Sequence, residues 1–392
     1  MLPSDFSAAM PYIAATATGF PPHYYPQDSI LADLQDIWAD TGINLNRVAR
    51  LHANTTVEGR YIAVPKADYH TMSGWKDANA AYAEVGVELG AQVLTRLFEQ
   101  AGLHASEVSM LFSACTTGIA VPTIDARIMN RVPFRTDLKR VPAYGLGCAA
   151  GAAGLARVAD YLRGHPTEAA VLLCQEFCSL TIQKQDTTVA NLIACGLFGD
   201  ASAAVLMVGD DHPLAGTNAV AGLPTQIDLE QPEGDGAAPV ATPRPDARGP
   251  QVLATRSVFF PESERTMGWD VTEMGMRIVL SAEVPDVAEA AVPPHVTALL
   301  AEHDLTLADV DRWLCHPGGP KVIGAIERGL GLDDAALGMS RDVLRRVGNV
   351  SSVSVLLILD RVLRQCDHGA GDTGVLLAMG PAFAADLALL RW

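Results

Sequence analysis

Two stretches of the chain share one plan and one spacing. Cys148 follows Cys115 by 33 positions, and Asn349 follows His316 by the same 33. Around these pairs SEVSMLFSACTTG resembles ADVDRWLCHPGG, and YGLGCAAGAAGLARVADYL resembles RVGNVSSVSVLLILDRVL; further on, GDASAAVLMVG resembles GDTGVLLAMG. Three matches in register indicate an internal duplication of a unit in which strands and helices alternate. The chain is therefore predicted to be an α/β protein made of two related halves.

Apolar runs and helical periodicity predict the elements of each half. We expect strands at 10–21, 108–115, 141–147, 169–174 and 201–208 and helices at 77–102 and 148–164, then a helix at 295–304, a strand at 310–315, a helix from near 349 and a strand at 374–379. Residues 209–256 are rich in Gly, Pro, Ala and Asp and are predicted to be a linker, with regular structure returning near Val258. The predicted halves are residues 1–225, with Cys148, and 226–392, with His316 and Asn349.

Charge and composition exclude several classes of function. The chain of 392 residues has a formal net charge of −17, so general electrostatic binding to nucleic acid or to an anionic membrane is not expected. With 49% hydrophobic and 19% charged residues, it is also not a disordered chain. No apolar run is long enough to span a bilayer, and no secretory signal is recognised at residues 1–10.

The cysteines and short motifs exclude other kinds of site. Seven cysteines are an odd number in a long chain, which favours free thiols in a reducing cytoplasm. Cys174 and Cys178 have no matching second pair, so no metal site is expected. The hydrolase motif G-x-S-x-G, the phosphate-binding loop and a G-x-G-x-x-G after a strand do not occur.

Three residues could carry chemistry, and each has a plainer alternative. Cys148 precedes a helix of small residues, where the macrodipole and free N–H groups favour a reactive thiolate; the alternative is a small buried cysteine. His316 follows a predicted strand and could be a general base or a donor to an oxyanion, or only hold its turn. Asn349 precedes a helix and could be its N-cap.

The duplication favours the functional alternative for all three. Asn349 takes the place of Cys148, and His316 takes the place of Cys115. A pseudo-twofold axis would therefore bring Cys148, His316 and Asn349 towards one centre. A nucleophile, a base and an amide donor in one cavity suit acyl transfer through a covalent thioester.

Four motifs in order carry a family resemblance: GLGCAAGAAG around Cys148, GLFGDASAAV around Phe198, CHPGGP around His316 and GNVSSVSVLLILD around Asn349. The chain resembles the type III polyketide synthases, the chalcone synthase-like branch of the thiolase superfamily, over nearly its whole length. This implies a five-layered αβαβα thiolase-like fold and a homodimer. The ketoacyl synthases share Cys, His and Asn, but they usually have Gln-Ala-Asn where this chain has 317–319, Pro-Gly-Gly.

The resemblance also implies roles. Cys148 would take the starter acyl group from coenzyme A and hold the growing chain, with His316 keeping it as thiolate. His316 and Asn349 would polarise the thioester carbonyl and stabilise the enolate formed when malonyl-CoA loses carbon dioxide. Phe198 would be the gate between the CoA tunnel and the cavity. No cofactor is implied beyond the CoA thioesters used as substrates.

Further positions are implied to touch substrate, each with core packing as the alternative. They are Thr116, Thr117, Cys178, Thr181, Trp269, Ile278 and Ser351 in the cavity wall and Arg60 as a basic residue for CoA phosphates. Val121 is implied to cross the dimer interface into the partner's cavity. Trp269 replaces a glycine of the plant enzymes, and residues 378–382 replace the plant GFGPG loop, so pocket shape and cyclisation are expected to differ from the plant pattern.

QEFCSLT and MGWDV are most similar to actinobacterial alkylresorcinol and alkylpyrone synthases. That likeness implies a fatty acyl-CoA starter, extension with malonyl-CoA or methylmalonyl-CoA, and closure to a resorcinol or a pyrone. The alternatives are self-priming by malonyl-CoA to a tetrahydroxynaphthalene or dihydroxyphenylacetyl product, a small aromatic starter, and an acyl carrier protein as the starter donor. A non-catalytic thiolase-fold protein that binds acyl thioesters is the alternative from another class, and it need not keep Cys148, His316 and Asn349.

Overall fold

Strands and helices alternate in the computed structural model, which describes residues 9–230, 247–365 and 367–392. The strands are β1 (Tyr12–Gly19), β2 (His23–Pro26), β3 (Gly59–Ile62), β4 (Val108–Cys115), β5 (Lys139–Tyr144), β6 (Ala169–Phe177), β7 (Asp200–Val208), β8 (Gln251–Phe259), β9 (Met267–Thr272), β10 (Gly275–Leu280), β11 (Arg312–Cys315), β12 (Thr373–Gly380) and β13 (Ala384–Arg391). The helices are α1 (Gln27–Trp38), α2 (Leu45–Ala53), α3 (Lys66–Thr71), α4 (Trp75–Ala101), α5 (Ile124–Ile128), α6 (Ala150–Arg163), α7 (Val189–Leu197), α8 (Gln226–Glu230), α9 (Val284–Ala291), α10 (Pro293–Ala301), α11 (Pro320–Leu330), α12 (Gly338–Val347) and α13 (Val353–Gln365).

The main sheet shows the duplication directly. Its order is β11-β12-β13-β8-β1-β7-β6-β4-β5. In the first half β4 is parallel to β6, and β6, β7 and β1 follow antiparallel. In the second half β11 is parallel to β12, and β12, β13 and β8 follow antiparallel. The two sets meet at a single residue pair between β1 and β8, and β5 is the strand without a counterpart. Because β12 takes the place of β6 and β13 that of β7, the predicted match of 199–209 with 371–380 joins strands that are not equivalent; the matches around Cys115 and Cys148 are the ones in register.

The helices form three layers around these two sets of strands. α4 packs on β1 and β7 at one outer face, and α10 packs on β8 and β13 at the other, next to α9 and α11. α6 and α13 touch each other and strands of both halves, so they form the middle layer. The result is the αβαβα architecture that the sequence resemblance implies.

Small residues allow the two middle helices to come close. A Cβ at Gly151 of α6 would lie 2.4 Å from the carbonyl oxygen of Ser352, and one at Gly154 would lie 2.5 Å from Leu172. Because α6 begins just after Cys148 and α13 just after Ser352, this close packing brings the start of each helix to one place.

Most predicted elements of the two halves are confirmed, with three differences. β4 has the predicted bounds, and α4 ends before Gly102, which takes a left-handed φ of 63°. The predicted linker is too long, because β8 begins at Gln251 rather than near Val258 and α8 lies within it; residues 231–246 of that stretch are outside the described part. The helix expected near Asn349 begins at Val353. The boundary near residue 225 stays a prediction.

Two further observations concern the described residues only. No helix among them is long and apolar enough to cross a membrane. The six cysteines in the described ranges are free thiols, and the seventh, Cys366, lies outside them.

Candidate active site

Cys148 lies in a short 3₁₀ turn, Gly147–Ala149, that leads directly into α6. Gly147 has a φ of 52°, and a Cβ there would lie 2.5 Å from the ring of Pro381. Its N–H donates a hydrogen bond of 3.0 Å to Thr116 Oγ1. The turn is thus held between the end of β4 and a loop of the second half, and it needs a glycine before the cysteine.

The thiol of Cys148 sits in a low-polarity environment. Burial raises its pKa to about 12, the hydrogen bond to Ser351 lowers it, and the nearby Glu176 raises it. The Sγ–Oγ distance to Ser351 is 3.5 Å. Burial and the nearby carboxylate of Glu176 therefore both disfavour the thiolate form of Cys148.

His316 follows β11 and continues its pairing, since its N–H donates to Leu377 O of β12 at 2.8 Å. Its side chain is 2% exposed, and burial lowers its pKa to about 3. Within the described ranges Nδ1 has no hydrogen-bond partner, and no hydrogen bond joins His316 to Cys148. Burial thus favours a neutral imidazole, which can accept one proton or donate one, and the thiolate pair that the resemblance implies stays a prediction.

Asn349 is fixed through both its backbone and its amide. Its N–H donates to Leu197 O at 2.9 Å, and its carbonyl accepts from Gly199 N at 3.0 Å. Its Oδ1 accepts from Ser351 N at 2.9 Å and from Ser354 Oγ at 3.5 Å. Nδ2 is consequently turned towards Gly318, two residues after His316, with a distance of 3.4 Å to its carbonyl oxygen. Because α13 begins four residues later, Asn349 is not the N-cap of that helix.

A cavity of about 470 Å³ opens beside Cys148. It brings together most of the predicted wall residues: Thr116, Thr117, Cys178, Phe198, Trp269, Ile278 and Ser351. A second chamber of about 710 Å³ shares four of them, Cys178, Phe198, Trp269 and Ile278, and adds Thr181. Phe198 therefore lines both spaces, and its role as a gate stays a prediction.

Two further predicted residues, Val121 and Arg60, do not line the cavity beside Cys148, although Arg60 lines the second chamber. Val121 is 89% exposed, in a surface segment before α5. Arg60 is 3% exposed and donates to the carbonyl oxygens of Phe198 and Cys195, at 2.5 and 2.8 Å. A guanidinium occupied in this way is poorly placed for the phosphate contact that the resemblance implies.

Glu176 is a site residue that the sequence reasoning missed. It is 0% exposed, accepts from the N–H groups of Thr116 and Thr117 at 3.1 and 3.2 Å, and accepts from Ser351 and Ser352 at 3.3 and 2.9 Å. Burial raises its pKa to about 7, and these hydrogen bonds lower it. An acidic residue inside the apolar run AAVLLCQEF was the signal that could have identified it.

Comparison with known proteins decides the family. The family model for chalcone and stilbene synthases, C-terminal domain, matches residues 251–392, and that for the FAE1/Type III polyketide synthase-like protein matches 46–224. A 1,3,6,8-tetrahydroxynaphthalene synthase of Streptomyces peucetius subsp. caesius is 40% identical over 380 residues, covering 97% of this chain and 93% of that protein. The chain belongs to the type III polyketide synthases.

Other members of the family agree in length and fold. A 3,5-dihydroxyphenylacetyl-CoA synthase of Streptomyces toyocaensis is 30% identical over 363 residues, 91% of this chain and 86% of that protein. The crystal structure of 1,3,6,8-tetrahydroxynaphthalene synthase from Streptomyces coelicolor A3(2) has a TM-score of 0.82 at 26% identity and covers 97% of this chain and 99% of that one. As a type III polyketide synthase with the thiolase-like fold, the protein is an acyltransferase of the decarboxylative condensation class, and the non-catalytic alternative is set aside.

Proposed function

We propose that this type III polyketide synthase loads a fatty acyl starter on Cys148, extends it with malonyl-CoA or methylmalonyl-CoA, and closes the product to an alkylresorcinol or alkylpyrone. The observation that carries the choice of starter is the second chamber, of about 710 Å³, next to the cavity at Cys148. The catalytic roles rest on Cys148, His316 and Asn349, and they need no metal or further cofactor.

The wall of the second chamber supports an alkyl chain. It includes Ile30, Leu34 and Ile37 of α1 together with Ile62 and Ile182. Burying an alkyl chain against such a surface contributes about 0.8 kcal/mol per methylene.

The two cations in that wall are already occupied. Lys66 is 2.8 Å from Asp33 and donates to Ser29 Oγ at 2.6 Å, and Arg60 binds backbone carbonyls. A space lined in this way suits an apolar tail better than the phosphates of coenzyme A.

Loading begins when the thiol of Cys148 attacks the carbonyl of the acyl thioester. Neutral His316 takes the proton of the Cys148 thiol and returns it to the departing thiolate of coenzyme A. A new thioester on Cys148 thus replaces the old one on coenzyme A. A histidine that was already protonated could not act as this base, and burial keeps His316 neutral. The start of α6 adds the positive end of a helix dipole at the sulfur.

Extension then needs charge stabilisation rather than a second nucleophile. Loss of carbon dioxide from the malonyl thioester leaves an enolate, and Asn349 Nδ2 and a ring N–H of His316 would donate to its oxygen. The enolate carbon attacks the carbonyl of the Cys148 thioester, forms the new carbon–carbon bond and expels Cys148 as a thiolate, which leaves the lengthened chain on coenzyme A. Each donor to such an oxyanion lowers the activation free energy by about 3 kcal/mol or more. Phe198 would keep water and the malonyl carboxylate out of the chamber that holds the acyl chain.

We also infer a homodimer, in which Val121 of each subunit enters the cavity of the other. β5 is an edge strand, and Ile119, Val121, Val141 and Tyr144 on and near it are exposed in the single chain. Apolar side chains together on a sheet edge are normally covered. CoA thioesters are made in the cytoplasm, which is where we place the enzyme.

A second candidate, self-priming by malonyl-CoA to a polyhydroxylated aromatic, is supported by the names of three similar proteins, two tetrahydroxynaphthalene synthases and a dihydroxyphenylacetyl-CoA synthase. The Streptomyces peucetius protein named 1,3,6,8-tetrahydroxynaphthalene synthase is 40% identical to this chain. If the enzyme primes itself in this way, the cavity beside Cys148, of about 470 Å³, would hold the growing chain alone. The second chamber would then stay empty during turnover.

Product analysis by mass spectrometry separates the two candidates. Purified protein is incubated with labelled malonyl-CoA, or methylmalonyl-CoA, and with acyl-CoA starters from acetyl to stearoyl plus benzoyl; the Cys148→Ala variant is the control. Labelled pyrones or resorcinols formed only with long acyl starters are the expected result. Product from malonyl-CoA alone would replace the fatty starter with self-priming. Product only from acyl carrier protein thioesters would keep the fatty starter and change its donor.

A further inference from the structure

Arg60 is buried behind the gate, and its contacts connect the gate to the candidate oxyanion donor. Nη1 donates to the carbonyl oxygen of Phe198 and Nη2 to that of Cys195, so the guanidinium clamps both ends of the turn that ends α7. Gln27 Nε2 donates to Gly196 O at 2.7 Å within the same turn. The backbone that carries Phe198 is therefore held from behind by side chains of the N-terminal segments.

The same segment holds Asn349. Residues 198 and 349 form an isolated parallel bridge, in which Asn349 N donates to Leu197 O and Gly199 N donates to Asn349 O. The stem of Arg60 packs against the residue before Asn349, since a Cβ at Gly348 would lie 3.0 Å from Arg60 Cδ. Arg60 thus touches the backbone on both sides of this bridge.

Charge explains why an arginine is kept in this buried place. Burial lowers the pKa of Arg60 to about 10, and Asp200 is among the groups that raise it; the side chain remains a cation. A buried cation is costly unless it is paired and hydrogen-bonded; the two carbonyls bond Nη1 and Nη2, whereas Nε has no hydrogen-bond partner among the described residues. Arginine presents two parallel donors in a fixed plane, whereas lysine presents one ammonium.

We propose that Arg60 is a positioning residue that couples the gate at Phe198 to the amide of Asn349, rather than a residue that grips coenzyme A. The proposal rests on the roles given above to Phe198 and Asn349. Arg60 acts through the backbone of residues 195–199 and does not touch the reacting atoms.

The test compares Arg60→Met and Arg60→Lys with two kinds of thioester. Acyl-CoA carries phosphates, and the N-acetylcysteamine thioester of the same acyl group carries none. Rates are expressed per active thiol, titrated with radioactive iodoacetamide, so that loss of folded protein does not enter. Arg163→Met is the matched control, because Arg163 also donates to two backbone carbonyls, Val252 O at 3.3 Å and Leu253 O at 3.4 Å, away from the site.

A displacement of about 1 Å at a reacting group can cost about 100-fold in rate. We therefore expect Arg60→Met to lower kcat about 10- to 100-fold with both thioesters, with KM changed less than about threefold, and Arg60→Lys to recover part of the loss. A loss seen with the CoA thioester alone, mainly in KM, would overturn the proposal in favour of a phosphate contact. Equal kcat per active thiol in both variants and the wild type would also overturn it.

If Arg60→Met yields no folded protein, Arg60→Lys carries the same comparison with the same two outcomes. A failure of the proposed function is seen separately, in the wild type: it would form product from malonyl-CoA without an acyl starter, or no product with any starter in either thioester form.

Discussion

The two halves of the molecule keep the same strand order but place different chemistry at equivalent positions. At the end of β4 the first half has Cys115, whose thiol pKa is raised to about 12 by burial and by Glu176. At the end of β11 the second half has His316, whose pKa burial lowers to about 3. Burial disfavours the charged form in both places, so it raises the pKa of the thiol and lowers that of the imidazole.

The middle layer shows a second difference of the same kind. Cys148 is followed at once by α6, whereas Asn349 is followed by a serine turn before α13 begins. Aligning VLLCQEF of β6 with VLLAMG of β12 places Glu176 opposite Gly380. Duplication thus gave each half one scaffold, and the first half kept the nucleophile and a buried acid, while the second half kept the base and the amide.

The largest effect is expected at the nucleophile. Cys148→Ala should lower product formation by about 10⁴-fold or more, as for loss of a covalent nucleophile in other enzymes. Cys115→Ala, at the place equivalent to His316, should keep it within about threefold. Product yield and trapped acyl-enzyme, both by mass spectrometry, check this. Equal losses in the two variants would mean that the first half does not separate its reactive and inert thiols.

The amide should come next. Asn349→Ala removes one donor to the enolate oxygen and should lower kcat by about 10²- to 10³-fold. Ser354→Ala should cost less than about fivefold, because Ser351 N still holds Oδ1 at 2.9 Å. Carbon dioxide released from labelled malonyl-CoA is the direct readout. Decarboxylation at the wild-type rate in Asn349→Ala would assign that donor elsewhere.

Glu176 makes the first half sensitive to pH. Its pKa is raised by burial from 4.5 to about 7, so the folded state binds more protons than the unfolded state between these values. Its contribution is fully present below about pH 4.5 and is lost as the pH rises through about 7, a change of up to about 3 kcal/mol. Glu176→Gln should therefore gain stability relative to the wild type between pH 5 and pH 8. Denaturant midpoints measure this.

Measuring Glu176→Gln against the wild type removes from the difference the contribution of a second buried acid, Asp200. Burial also raises the pKa of Asp200 to about 7, and it is present in both proteins. A constant difference between Glu176→Gln and the wild type across this range would show that Glu176 does not titrate there.

The smallest effect is expected at the position opposite Glu176. A Cβ at Gly380 would lie 2.6 Å from Leu146 O and 2.7 Å from the Cβ of Ala149. Gly380→Ala should destabilise the fold by about 1–3 kcal/mol, as overpacking does, and shift the turn that carries Cys148. Thermal unfolding and the rate of Cys148 alkylation by iodoacetamide check the two parts. An unchanged alkylation rate would show that this turn is set by α6 alone.

Local patterns were enough to predict the frame of the molecule. The spacing of Cys115 and Cys148 against His316 and Asn349 predicted two halves, and the strand pairing shows them. The bounds of β4 followed from one apolar run ended by a polar turn. These features depend on neighbours in sequence, which is why they could be recognised.

The walls of the two spaces could not be predicted in this way. They combine α1, the turn after β6, α7 and the β9–β10 hairpin, which are far apart in the sequence. The orientation of Arg60 and the bonds of Glu176 depend on backbone groups that no motif specifies. Side chains that bind backbone atoms across long sequence distances leave no periodic signal.

The β9–β10 hairpin has a consequence for how such an enzyme can change. It forms a two-stranded sheet of its own, outside the nine-stranded one, and it carries Trp269 and Ile278 into both spaces. Val271, two residues beyond Trp269 on β9, is exposed. Substitutions along this hairpin can therefore change the shape of the space in which the product forms, while the two duplicated halves and the reactive centre stay as they are.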